Sequence, residues 1–140
     1  PGTKLWTFGS QVHADADGWQ AEEGTLDATP GALLLRGSAG GRVALVSPPL
    51  TLPSATIGAF VLGLAPDTAV TSVEIAARAS CETAWRPVAR VTRREVEMTA
   101  AGWHVRAPSP ANRPIDRLRI TLTAAAPAAL SLARVAILQK

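Results

Sequence analysis

The chain has 140 residues, with fourteen basic and eleven acidic side chains, one Cys and no Tyr. That length supports a single core burying roughly two-thirds of the unfolded surface, and the apolar runs are too short for a transmembrane helix or a signal peptide. The lone Cys81 excludes an intrachain disulfide and a paired-cysteine metal site, and it reads as a structural thiol.

Lys4 to Phe8 forms an opening strand with Trp6 and Phe8 on one face. Asp15-Ala16-Asp17-Gly18 has turn chemistry, because Asp side chains accept from local backbone and Gly takes positive φ. Strands follow at Trp19 to Glu23, Ala32 to Arg36 (ALLLR, apolar enough for burial on both faces) and Arg42 to Val46. Thr29-Pro30-Gly31 and Gly37 to Gly41 make the turns between them. The prolines of Ser47-Pro48-Pro49 and Leu52-Pro53-Ser54 lack backbone donors, so the chain crosses between sheets or follows an edge there.

Thr56 to Leu64 is the most apolar strand and belongs near a sheet centre, with a turn after it at Pro66-Asp67-Thr68. Ser72 to Ala79 points Val73, Ile75 and Ala77 inward, and Trp85 to Thr92 sets Trp85, Ala89 and Val91 against Arg86, Val88 and Arg90. Glu95 to Thr99 and Trp103 to Ala107 are short strands, followed by a loop over Ala107 to Pro114. From Asp116 to Thr123, Leu118, Ile120 and Leu122 alternate strictly with Arg117, Arg119, Thr121 and Thr123, the period of a half-buried strand. The last strand, Leu130 to Leu138, slips phase between Leu132 and Val135, which predicts a bulge near Ala133 and Arg134.

These elements predict an all-β fold, an antiparallel jelly-roll β-sandwich of about eight to ten strands with little or no helix. The chain begins Pro1-Gly2 without an initiator Met, so residues 1–140 are expected to be a single domain excised from a larger protein.

No nucleophile elbow, zinc-binding His-Glu-x-x-His or phosphate loop is present. His13 and His104 read as surface histidines, Glu22 and Glu23 point to opposite faces of a strand, and Glu95 and Glu97 read as a solvated edge. The isolated domain is therefore expected not to be an enzyme.

Trp6-Thr7-Phe8, Asp17-Gly18-Trp19, the SPPL of residues 47–50, and the closing LRITL and LARVAIL strands resemble, in order, the galactose-binding-like jelly rolls, a superfamily of carbohydrate-binding modules and discoidin-type domains. The resemblance implies that Trp19 and Trp6 are core anchors. It also implies a structural calcium near the termini. Asp15 and Asp17 are available for one, but the last strand carries Arg134 where an acidic pair belongs, so no cofactor and no metal ligand is assigned.

Charge is unevenly spread. Residues 1–70 carry three basic and six acidic side chains, residues 71–140 eleven and five, and only Lys4 and Lys140 are Lys. A guanidinium grips carboxylate, sulfate or phosphate through two parallel hydrogen bonds, so Arg richness suits an anionic ligand, although a GC-rich genome gives the same bias. If the second-half strands share one sheet, Arg78, Arg86, Arg90, Arg106, Arg117 and Arg119 gather on a face opposite the core. Trp85 and Trp103 stand near loops, where an indole either stacks on a sugar or anchors the core.

These eight residues are the candidate ligand site of a noncatalytic carbohydrate-binding accessory module in an extracytoplasmic bacterial protein, with an acidic polysaccharide as the suggested ligand. The alternative is a structural or interaction domain whose Arg face packs on a sister domain or a membrane surface. Nucleic acid is not expected, because the Arg-rich strands lack interleaved aromatics for base stacking.

Overall fold

The final strand organises the molecule. In the computed structural model, which describes residues 3–10, 12–38, 41–50, 52–53, 57–65, 70–79, 82–100, 102–106, 114–124 and 129–139, it runs from Ala129 to Gln139 and touches three other strands. Fourteen strands occur among these residues: β1 (Thr3–Trp6), β2 (Gln20–Glu23), β3 (Thr25–Thr29), β4 (Ala32–Arg36), β5 (Arg42–Val46), β6 (Leu52–Pro53), β7 (Ile57–Ala65), β8 (Val70–Arg78), β9 (Arg86–Thr92), β10 (Glu97–Thr99), β11 (Gly102–Arg106), β12 (Pro114–Ile115), β13 (Arg117–Ala124) and β14 (Ala129–Gln139). No helix occurs among them.

One sheet has seven strands in the order β10-β11-β7-β14-β4-β3, with β1 also on β14; the other has five, β2-β5-β13-β8-β9; all pairings are antiparallel. β7 lies between β11 and β14, as its apolar sequence requires. The expected bulge falls where the pairing of β14 shifts between Leu132 and Arg134. On one side of that irregularity Ala129 to Leu132 pair with β4, and on the other Val135 to Leu138 pair with β1. The extra residue keeps Leu130, Leu132, Val135 and Ile137 all buried despite the phase slip.

Alternating residues of both sheets meet in one core, including Leu33, Phe60 and Leu62 from one and Ile75, Leu118 and Ile120 from the other. Trp6 and Trp19 meet edge to face, centroids 5.2 Å apart at 85°, and close one end as the anchors expected of them. The chain turns there through Phe8, whose φ of 60° is unusual for a bulky residue, and its N–H donates to Asp17 Oδ2 at 3.0 Å.

Three strands were not expected. β3 contains Asp27 and Ala28, poor strand formers, and as an edge strand it packs little more than Leu26 on the core. β6 and β12 pair with each other as a two-stranded ribbon at the proline-rich crossover. ALLLR is not buried on both faces: Leu33 and Leu35 are fully buried while Ala32 and Leu34 are half-buried. The expected turn at 66–68, Cys81 and the loop at 107–113 lie outside the described residues.

Candidate functional site: the outer face of the five-stranded sheet

β8, β9 and β13 lie side by side in the five-stranded sheet, with β13 against β8 over Arg117 to Ala124 and β8 against β9 over Ser72 to Ala77. Inward residues Val73, Ile75, Ala77, Leu118, Ile120 and Leu122 form the core, so the opposite parity, Glu74, Ala76, Arg78, Arg117, Arg119 and Thr121, faces outward.

The β8–β9 register decides the fate of Trp85. Ile75 pairs with Ala89 but Ala76 pairs with Pro87, so Val88 is an extra residue in β9. A one-residue bulge reverses the pleat beyond it. Arg86 therefore pairs with the inward-facing Ala77, whereas Trp85 and Pro87 join Arg90 around a depression of about 490 Å³ on the outer face. Uninterrupted alternation had assigned Trp85 and Arg86 to the opposite sides.

The guanidinium carbons of Arg78 and Arg119 stand over the Trp85 ring, 4.8 and 5.0 Å from its centroid. At that distance the cations are attracted by the ring quadrupole, which fixes the indole as a half-buried platform. Glu74 Oε1 lies 3.4 Å from Arg90 Nε, and Glu22, from β2, approaches Arg119 Nη1 at 3.2 Å. Arg78 has no carboxylate partner among the described residues. Arg117 is held at the β5 end of the face, where it donates to the Ser47 carbonyl at 3.2 Å. Ser47, fully buried, also accepts the Leu118 N–H on its hydroxyl at 2.9 Å, and so locks the start of β13.

Of the eight sequence candidates, Arg78, Trp85, Arg90, Arg117 and Arg119 share this face. Three do not. Arg86 turns toward the sandwich interior, where its Nε donates to both oxygens of Glu82 at 2.9 and 3.1 Å with both side chains largely buried, a structural ion pair. Trp103 is fully buried beneath β11, because its strand parity matches that of Val105, and offers no surface to a ligand. Arg106 belongs to the seven-stranded sheet and pairs with Glu97 at 3.4 Å. Glu74 was expected from its parity to face outward and partly neutralise the arginines, as it does; the sequence reading missed Glu22, Thr121 and Ser47, and only for Thr121 did the alternation give a signal, since it shares parity with the face arginines.

Asp17 accepts the Phe8 N–H and Asp15 Oδ1 accepts the Asp17 N–H at 2.8 Å, both ordinary loop contacts. Among the described residues no three His, Cys, Asp or Glu side chains converge as ligands.

No protein-family model matches the sequence, and no curated protein matches it. Solved structures do resemble it. A low-affinity xylan-binding module of family 86 from Roseburia intestinalis superposes with a TM-score of 0.65 over 100% of this chain and 97% of that chain, at 18% identity. A point variant of a family 29 carbohydrate-binding module, made to probe its ligand recognition, gives 0.57 over 97% of this chain and 92% of that one, at 11% identity. The first family 29 module from Piromyces equi gives 0.52 over 98% and 91%, also at 11% identity. The chain has the β-sandwich fold of carbohydrate-binding modules. At these identities the likeness is one of architecture, spanning both sheets and nearly the whole length of each module.

Proposed function

We propose that this domain is a noncatalytic carbohydrate-binding module whose ligand lies across the outer face of the five-stranded sheet. The observation that carries the reading is Trp85, an indole set at the margin of a shallow depression and overlaid by the guanidiniums of Arg78 and Arg119. An indole offers an apolar face to the C–H face of a sugar ring, and the guanidiniums over it offer bidentate hydrogen bonds to a carboxylate, so a sugar stacking on Trp85 would take the place of one guanidinium while its acidic group engages the other. Around the depression and its approaches, Arg78, Arg90, Arg117 and Arg119 face only Glu22 and Glu74 as paired carboxylates among the described residues, a surplus of positive charge. That surplus favours an acidic glycan, such as a xylan carrying glucuronosyl groups, over a neutral one. The fold shared with a xylan-binding module supports the same backbone chemistry.

The proposed setting is a larger extracytoplasmic protein in which this domain holds the chain against a polymer, and the proposed superfamily is the galactose-binding-like one suggested by the opening and closing strands. Affinity electrophoresis in gels containing glucuronoxylan, unsubstituted xylan or no polymer tests the reading. Retardation is expected to be strongest in glucuronoxylan and lost in Trp85→Ala. Equal mobility of the natural protein in all gels contradicts it and favours a domain that packs on a protein partner.

A further inference from the structure

A second depression lies round the edge of β9, at the seam where the two sheets meet. Its volume is about 370 Å³, within the range of pockets that hold small ligands, about 300–1,000 Å³. Val91 and Val96, both packed against the core, give it an apolar floor. Arg106 and His104 border it from β11 and Glu97 from β10, while Arg90 is its wall on the β9 side. Arg90 also lines the Trp85 depression, so the two hollows share one residue.

The chemistry of the seam differs from that of the sheet face. Its cations are matched: Glu97 Oε2 lies 3.4 Å from Arg106 Nη2, and Arg90 is paired with Glu74. A uronate finds no surplus charge here. What the seam offers is donors and acceptors side by side on an apolar floor, the complement of hydroxyls that both give and accept hydrogen bonds. His104 Nδ1 is buried and has no hydrogen-bond partner among the described residues, standing 3.6 Å from Glu97 Oε2, beyond bonding length. The rest of the imidazole, on a side chain 22% exposed, borders the hollow beside Glu97, where a hydroxyl can meet it. The side chains of Arg90 and Arg106 are 71% and 77% exposed, so the entrance is open.

We propose that the seam is a second carbohydrate subsite, which takes unsubstituted neutral sugar units of a chain whose acidic unit sits at Trp85. The chain would pass from the sheet face over Arg90 into the seam, and Arg106, Glu97 and His104 would meet its hydroxyls. This rests on the sheet-face reading given above.

The test is a titration of the ¹⁵N-labelled protein with a xylotriose and a xylohexaose, each bearing one glucuronosyl group, followed by NMR. Both probes are expected to shift the Trp85 indole signal, and only the longer one the His104 imidazole. The longer probe is also expected to bind about tenfold more tightly, the scale of one added hydrogen bond to a charged group. Arg106→Ala, whose exposed side chain can be removed without opening the core, and independently His104→Ala should erase that gain and leave the trisaccharide affinity unchanged, with melting temperatures showing that both variants fold.

If Trp85 responds to both probes but His104 is silent, or if the gain survives in both variants, the seam subsite is wrong and the sheet-face reading stands. Equal weakening of both probes in folded Arg106→Ala also overturns it, because Arg106 would then belong to the main site. Failure of either probe to move Trp85 removes the sheet-face reading and the seam with it.

Discussion

The two outer faces of the sandwich arise from the same alternation and carry opposite surfaces. On the seven-stranded sheet the outward positions of its central strands are mostly small or aliphatic, Ala59 and Val61 on β7 and Ala136 and Leu138 on β14, with the exposed Arg134 at the β14 bulge and no aromatic among them. On the five-stranded sheet the corresponding positions hold Arg78, Arg117, Arg119, Glu74 and Thr121, with Trp85 beside them. Both faces can sustain the fold, because the inward residues supply its core. Among the described residues only the five-stranded sheet sets a ring with cations over it on its outer face; Lys4 stands over Trp6 in the other sheet, but that indole is buried. On the proposed reading, stability and recognition fall to different parities of the same strands, and a tryptophan's role follows from the side of the pleat it occupies.

The pair Trp85 and Trp103 is the sharpest way to break that separation. Trp103→Ala removes a fully buried side chain and should cost about 3–5 kcal/mol, read as a large fall in the urea midpoint or melting temperature. Trp85→Ala should leave the melting temperature within a few degrees and abolish retention by glucuronoxylan. A reversal of the two outcomes would put the functional indole in the wrong sheet.

Arg119→Ala comes next. Losing one guanidinium from the platform should weaken binding to an acidic oligosaccharide about tenfold, with a much smaller effect on a neutral one, measured by calorimetry. Glu22→Gln acts in the opposite direction. Glu22 neutralises Arg119 from 97 residues away in sequence, and releasing that exposed pair should tighten acidic-ligand binding by about twofold to fivefold, the worth of a surface ion pair.

Much of the fold was legible because short apolar or alternating segments are set off by Gly and Pro turns, and the boundaries of β4 and β5 match those turns. The bulge in β14 was legible from the alternation, since Leu132 and Val135 cannot both face inward without an extra residue between them. The bulge in β9 was not. Trp-Arg-Pro-Val-Ala-Arg-Val carries apolar residues on both parities, so an uninterrupted strand and one broken at Val88 look alike. Sheet membership was hidden too, because local period does not say which sheet a strand joins; this is why Arg106 was grouped with arginines that lie on the other sheet. The acids that temper the face, Glu22 above all, come from strands distant in sequence.

The smallest expected effect concerns the turn between β9 and β10, where the two sheets meet. Glu95 accepts from the Thr92 hydroxyl at 2.8 Å and from its N–H at 3.2 Å, and these bonds to the charged form hold its pKa below the ordinary 4.5. A carboxylate whose folded pKa is depressed contributes stability that is complete above its unfolded value and is lost as pH falls through the folded one. Glu95→Gln should therefore be slightly less stable than the natural protein at pH 7, and the gap should close in acid below the carboxylate range. Urea unfolding at neutral and at acid pH measures it.

A crystal structure of the domain with a glucuronosyl-substituted xylo-oligosaccharide tests the sheet-face site most directly. The expected result is a sugar ring stacked on the Trp85 indole, with the uronate carboxylate at hydrogen-bond distance from Arg78 or Arg119. An oligosaccharide lying on the seven-stranded sheet, with Trp85 bare, would contradict it.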